Sequence, residues 1–220
     1  MALKGWQRPD RGVLFVITGP SGVGKSTLIT HCRAQIPGLG FSISATTRAP
    51  RAAETDGIEY HFLDRTDFDH RVAAGAFLEH ATVYDRSYGT LAAPAEAALA
   101  TGASLILDID VQGADQVRAQ APEAVHIFIL PPTLDTLERR LRARATDSDQ
   151  VITRRMAQVK QQLDGAKRFD YLVINGELET AKLMLTSILL AEMCRRERRD
   201  SWINDIEDAL RRDGHPHSGR

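Results

Sequence analysis

Val13-Leu14-Phe15-Val16-Ile17-Thr18-Gly19-Pro20-Ser21-Gly22-Val23-Gly24-Lys25-Ser26-Thr27 is the stretch on which the reading of the fold turns. Its first five residues are apolar, largely β-branched and bounded by Gly12 and Gly19, which predicts a central strand buried on both faces. Gly19 to Ser26 fits G-x-x-x-x-G-K-[ST], and beyond it Leu28, Ile29, Cys32 and Ile36 recur at helical spacing until Pro37-Gly38 closes the segment. Strand, glycine-rich loop and helix in that order form a phosphate-binding loop. Its glycines let backbone N–H groups turn inward around phosphate oxygens, and the helix N-terminus adds partial positive charge. Lys25 then reaches the β- and γ-phosphates and Ser26 is a Mg²⁺ ligand, with Thr27 following on the first helical turn. The loop implies a nucleoside triphosphate; the second substrate has to be read elsewhere.

Outward from the loop, alternating strands and helices continue. A helix is predicted over 94–101, buried strands over 104–110 and 124–130 with a short helix over 112–118 between them, a last strand over 171–175 and a last core helix over 178–194. The pattern predicts a three-layer α/β P-loop fold around a central parallel sheet. Residues 41–91 differ: short alternating runs and an Arg/Pro/Asp/Gly cluster predict a small β-rich insertion with one short helix over 66–75. Residues 134–165 are polar and Arg-rich and predict a mobile helical flap. The expected organisation is a leader (1–11), one domain (12–194; core 12–40, 92–133 and 166–194), and a charged tail (195–220). In that tail Trp202, Ile206 and Leu210 fit packing on the chain's own core or on a second subunit equally well, so monomer and homo-oligomer both stay open.

With 43% hydrophobic and 26% charged residues over 220 positions, the chain has the composition of one globular domain. A net charge of −1 gives no global pull toward nucleic acid or anionic lipid, so neither is expected as a partner. Cys32 and Cys194 lie apart in helical segments, which predicts reduced thiols, not a disulfide or zinc site. The N-terminus lacks an apolar stretch of signal-peptide length, and a cytoplasmic protein is expected.

Three further clusters concern the second substrate. In Ser42-Ile43-Ser44-Ala45-Thr46-Thr47-Arg48-Ala49-Pro50-Arg51, followed by Glu54 and Tyr60-His61-Phe62, two arginines and a tyrosine form a plausible clamp for a phosphate dianion. Phe77-Leu78-Glu79-His80-Ala81 with Ser87-Tyr88-Gly89-Thr90 places a carboxylate, Glu79, on a strand, and one carboxylate can accept from two neighbouring donors. In Leu105-Ile106-Leu107-Asp108-Ile109-Asp110 an acidic residue ends a buried strand beside the loop, where it either holds Mg²⁺ or caps the next helix.

Together these clusters resemble the guanylate kinases from about Gly12 to Glu192. The resemblance implies transfer of the γ-phosphoryl group of ATP to GMP, and to dGMP, with Mg²⁺. It implies that Arg48, Arg51, Tyr60 and Tyr88 hold the GMP phosphate, while Ser44, Glu79, Thr90 and Asp110 address the base. It further implies that Arg144 and Arg155, among Arg140, Arg144, Arg154 and Arg155 of the flap, close on the transferring phosphates beside Lys25, that Asn175 lies near the adenine, and that Asp108 is the carboxylate on the metal side. The chain departs from the family with Ala52-Ala53 for Pro-Gly, with Ala145 for Gly, which stiffens the flap turn, and with Ser87 for an aromatic residue. Two alternatives stand beside it: a related kinase for a phosphorylated sugar such as a ribose bisphosphate, and a non-catalytic binding module of guanylate-kinase-like type.

Overall fold

The computed structural model describes residues 3, 5–83, 85–143 and 149–212. Strand β1 (Leu14–Thr18) is buried along its whole length and leads through the loop into α1 (Lys25–Gln35). With β2 (Leu39–Phe41), β7 (Ser104–Asp108), β8 (Val125–Leu130) and β9 (Tyr171–Ile174) it forms a parallel sheet in the order β2-β7-β1-β8-β9. Because β7 and β8 flank β1 on opposite sides, the strand order switches side at β1, and the crevice outside its C-terminal end is where such sheets bind ligands.

Helices cover both faces, as a sheet of near-continuous apolar strands requires. One face packs α1, α5 (Leu134–Ala143), α6 (Asp149–Ala166) and α7 (Leu178–Met193) through Phe15, Ile17, Leu28, Ile127, Leu137, Val159 and Leu185. The other packs α3 (Ala92–Ala100) and α4 (Val111–Gln120) through Val16, Leu99, Leu107, Ala114 and Val117. Burying a Leu- or Ile-sized side chain stabilises by roughly 1.5–3 kcal/mol, so these two clusters dominate the fold. Within β8, His126 is 1% exposed, and neither ring nitrogen has a hydrogen-bond partner among the described residues.

Between β2 and α3 the chain builds a second sheet in the order β4-β3-β6-β5, from β3 (Ala45–Thr46), β4 (His61–Phe62), β5 (Phe77–Val83) and β6 (Arg86–Leu91). Helix α2 (Arg65–Ala73) closes it with Phe68 on Phe77, ring centroids 4.6 Å apart, and Asp64 caps the helix by accepting from Asp67 N–H at 2.7 Å. The alternation around 41–44 does not form one strand. Phe41 ends β2 on the main sheet, opposite Ile106, and a new strand starts at Ala45 on the second sheet.

Among the described residues, no helix is long and apolar enough to cross a membrane. The tail forms α8 (Asp200–Arg212), tied to the leader where Asp10 accepts from Ser201 N–H at 2.8 Å and Arg199 stacks on Trp6. Its stripe is left exposed, Trp202 at 40%, Ile206 at 61% and Leu210 at 42%.

Candidate active site

The loop follows directly from the strand that precedes it. Gly24 holds φ 100° at the start of α1, a backbone that side chains other than glycine's rarely adopt, and a Cβ there would lie 2.5 Å from Asn175 Nδ2. No side chain caps α1, and its first turn carries no acidic residue, so its N–H groups and dipole remain available to an anion. Gly19, Pro20 and Val23 are buried; Gly22, Gly24 and Lys25 are half-buried; Ser21, Ser26 and Thr27 are exposed.

Lys25 Nζ donates to Gly19 O at 2.7 Å and sits 3.6 Å from Asp108 Oδ1. Asp108 ends β7 opposite Ile17 of β1, which brings its carboxylate to the loop. Burial pushes the Asp108 carboxyl up, and the Lys25 charge pulls it partly back. The helix cap belongs two residues on: Asp110 Oδ1 accepts from Gly113 N–H at 2.8 Å, opening α4.

Asn175 is 4% exposed and donates from Nδ2 to Val23 O at 2.7 Å, and Arg140 Nη1 donates to the same carbonyl at 3.4 Å. The Asn175 side chain is therefore turned onto the loop itself. From α6, Arg155 Nη1 reaches Ser21 Oγ at 3.2 Å. Arg144 lies outside the described residues, as does the side chain of Arg154.

On the second sheet, Arg48 is gathered with the two tyrosines. Its guanidinium lies 5.3 Å from the Tyr60 ring and 5.7 Å from Phe62, and the Tyr60 and Tyr88 rings are 6.3 Å apart. Glu54 holds this group: Oε1 accepts from Arg48 Nη2 at 2.7 Å, and Oε2 accepts from Arg51 N–H at 2.8 Å. The Arg48 hydrogen bond keeps the Glu54 carboxyl below its usual range. Arg51 extends an exposed side chain beside them, whereas Ser44 is half-buried just before β3, its carbonyl accepting from His61 N–H at 2.9 Å.

Glu79 is 7% exposed in β5, and Thr90 of β6 donates from Oγ1 to its Oε1 at 2.7 Å. Burial pushes this carboxyl up, the Thr90 hydrogen bond pulls it down, and the neighbouring charge of Asp110 adds to the upward shift. A buried carboxylate with one oxygen engaged by a hydroxyl can accept a pair of adjacent donors, whereas an acceptor edge would meet it unpaired.

The structure thus brings together Lys25, Asp108, Asn175 and Arg155 at the loop, Arg48, Tyr60 and Tyr88 with the Arg51 backbone, and Glu79 with Thr90 and Asp110. Sequence reading missed the bracing groups. Glu54 stands in the quoted cluster, six residues from Arg48 across a turn, but its bracing role is not legible there. Thr46, Thr47 and Ser87, which cross-link β3 to β6, carry no signal without the strand pairing.

Residues 11–192 match the family model described as guanylate kinase. A guanylate kinase of Rhodopseudomonas palustris is 47% identical over 204 residues, 91% of this chain and 93% of that one. One of Carboxydothermus hydrogenoformans is 45% identical over 188 residues, 86% and 92% of the two chains. Among solved structures, the crystal structure of guanylate kinase from Anaplasma phagocytophilum superposes with a TM-score of 0.63 at 29% identity, covering 87% of this chain and 92% of that one. With a model spanning most of the residues and relatives matched nearly end to end, the chain belongs to the guanylate kinase family.

Proposed function

We propose that the protein transfers the γ-phosphoryl group of ATP to GMP, giving ADP and GDP. The observation that carries this reading is the buried Glu79 carboxylate, held by Thr90 in an insertion that also gathers Arg48, Tyr60 and Tyr88, on a chain with an intact phosphate loop. A carboxylate reads N1–H and N2 of guanine and rejects adenine, whose N1 is an acceptor. Neither a sugar-phosphate kinase nor a non-catalytic module is favoured by the chain's relatives. dGMP is included because the groups assigned to the acceptor address base and phosphate, not sugar.

In this reading residues 41–91 bind GMP, 134–165 form the lid, and residues 12–40, 92–133 and 166–194 form the core. Arg48, Arg51, Tyr60 and Tyr88 hold the GMP phosphate, and Ser44, Glu79, Thr90 and Asp110 surround the base. The loop from Gly19 to Thr27 holds the ATP phosphates, and Asn175 acts on ATP through the loop it braces. The acceptor phosphate is already anionic near pH 7, so its oxygen attacks in line on the γ-phosphorus without a strong general base. What remains for the protein is positioning and electrostatic stabilisation. Lys25 neutralises charge on the transferring group, and Arg144 and Arg155 add to it as the lid closes and water leaves.

Ser26 and Asp108 are hard oxygen donors, a hydroxyl on the first turn of α1 and a carboxylate at the strand end beside it, which suits Mg²⁺ bound mainly through substrate phosphates. Bound there with ATP, the ion would supply charge neutralisation on the transferring phosphate. The protein acts in the cytoplasm on this reading, and its free Cys32 and Cys194 are in keeping with a reducing compartment.

The test is a coupled ADP-release assay with MgATP, offering GMP, dGMP, AMP, CMP, UMP and ribose 1,5-bisphosphate separately. Turnover confined to GMP and dGMP is expected. Turnover with the ribose bisphosphate would instead favour a sugar-phosphate kinase, and silence on all six from folded protein would favour a binding module.

A further inference from the structure

β5 is an edge strand of the second sheet, paired with β6 on one side only. Backbone groups on the outer side of an edge strand have no strand partner, and buried or half-buried ones must find another. At His80 both are met by one side chain from the core domain. The backbone N–H of His80 donates to Gln116 Oε1 at 3.0 Å, and Gln116 Nε2 donates to His80 O at 3.0 Å. A primary amide carries one acceptor and two donors, so it can stand in for the edge of a neighbouring strand.

Gln116 lies on α4, which is seated on the main sheet by Ala114 and Val117. Leu78 of β5 is buried in the same cluster. Three consecutive residues of β5 therefore do different things: Leu78 anchors on the core, His80 is bracketed by Gln116, and between them Glu79 faces its Thr90 partner. α4 also approaches Glu79 directly, since a Cβ on Gly113 would lie 3.3 Å from Glu79 Oε2.

We infer that Gln116 is a positioning residue of the acceptor site, fixing the backbone of β5 against α4 so that the Glu79 carboxylate is presented at one height to the base. The inference rests on the reading of Glu79 as the guanine-selecting group. Without the bracket, β5 keeps its β6 ladder and its Leu78 anchor but gains freedom at the residue after the carboxylate. A displacement well under the length of a hydrogen bond degrades a bidentate contact while leaving the phosphate loop untouched.

Steady-state kinetics on wild type, Gln116→Ala, Gln116→Leu and Gln116→Glu test it, with thermal unfolding and circular dichroism as controls. The alanine and leucine variants are expected to raise KM for GMP about tenfold and to narrow the GMP-over-AMP preference, with KM for ATP within about twofold of wild type. Gln116→Glu keeps the acceptor for His80 N–H but sets a second carboxylate oxygen against His80 O, so it should raise KM for GMP at least as far as the alanine variant. A rise confined to GMP is not produced by general destabilisation, and the near-isosteric glutamate variant preserves the test if the other two fold poorly. Equal rises in KM for GMP and ATP, or a lower unfolding temperature with GMP kinetics unchanged, would overturn the inference. Failure of the base-reading assignment is separate, because it appears as GMP selectivity surviving Glu79→Ala whatever Gln116 does.

Discussion

Lys25 is held between a loop carbonyl and the Asp108 carboxylate, within reach of the site where the loop would cradle phosphate. If its role is to meet charge that develops during transfer, Lys25→Ala lowers kcat by roughly a hundredfold or more with a smaller effect on KM for GMP. Rapid-quench or steady-state rates at saturating MgATP and GMP measure this. Glu54 gives a second prediction at this scale. It touches no substrate in the proposed arrangement but fixes Arg48, so Glu54→Ala raises KM for GMP by about fivefold and leaves KM for ATP unchanged. A matching rise in both would mean that the Arg48 cluster does not serve the acceptor.

At the scale of elements, the loop depends on a strand far along the chain. Asn175, just past β9, donates to the Val23 carbonyl, so Asn175→Ala removes a buried hydrogen bond. Stability is expected to fall by about 1–3 kcal/mol and KM for ATP to rise, with GMP affinity at fixed ATP little changed. Denaturant titration and ATP kinetics check the two halves. β1, the loop and α1 were legible because a doubly buried strand, a glycine-rich turn and a helical stripe follow in one short stretch. β6 was harder to see: Ser87, Tyr88, Gly89 and Thr90 offer no apolar run, and their strand exists only through pairing with β3 and β5. The cap of α4 was left open for a similar reason. Asp108 and Asp110 look alike in sequence, and only the end of β7 decides that Asp110 accepts from Gly113 while Asp108 turns to Lys25. The Gln116 bracket left no sequence signal, since 36 residues separate it from the backbone it holds. Individual chemical groups were readable from residue type and spacing, whereas the contacts that orient them depend on tertiary pairing.

For the molecule as a whole, the sheet that organises the site also contains an acid-sensitive group. Burial, aided by the Arg118 charge, lowers His126 to about 4 from 6.5. The folded state thus favours the neutral ring, so this contribution to stability is complete above about pH 6.5 and is lost as pH falls from there toward 4. Its full size is on the order of 3 kcal/mol. Denaturant midpoints across that range should fall with acid in wild type and fall less in His126→Phe; parallel curves would contradict the assignment.

At the same scale, the central claim is that one carboxylate on the second sheet selects the acceptor for a phosphate loop on the first. It is tested most directly by the ratio of kcat/KM for GMP to that for AMP, measured in wild type and in Glu79→Ala under the same MgATP. The account predicts a strong GMP preference that drops by at least about a hundredfold in the variant, with KM for ATP unchanged. A variant that retained the wild-type ratio would contradict it, and guanine selection would then have to be sought elsewhere on the insertion.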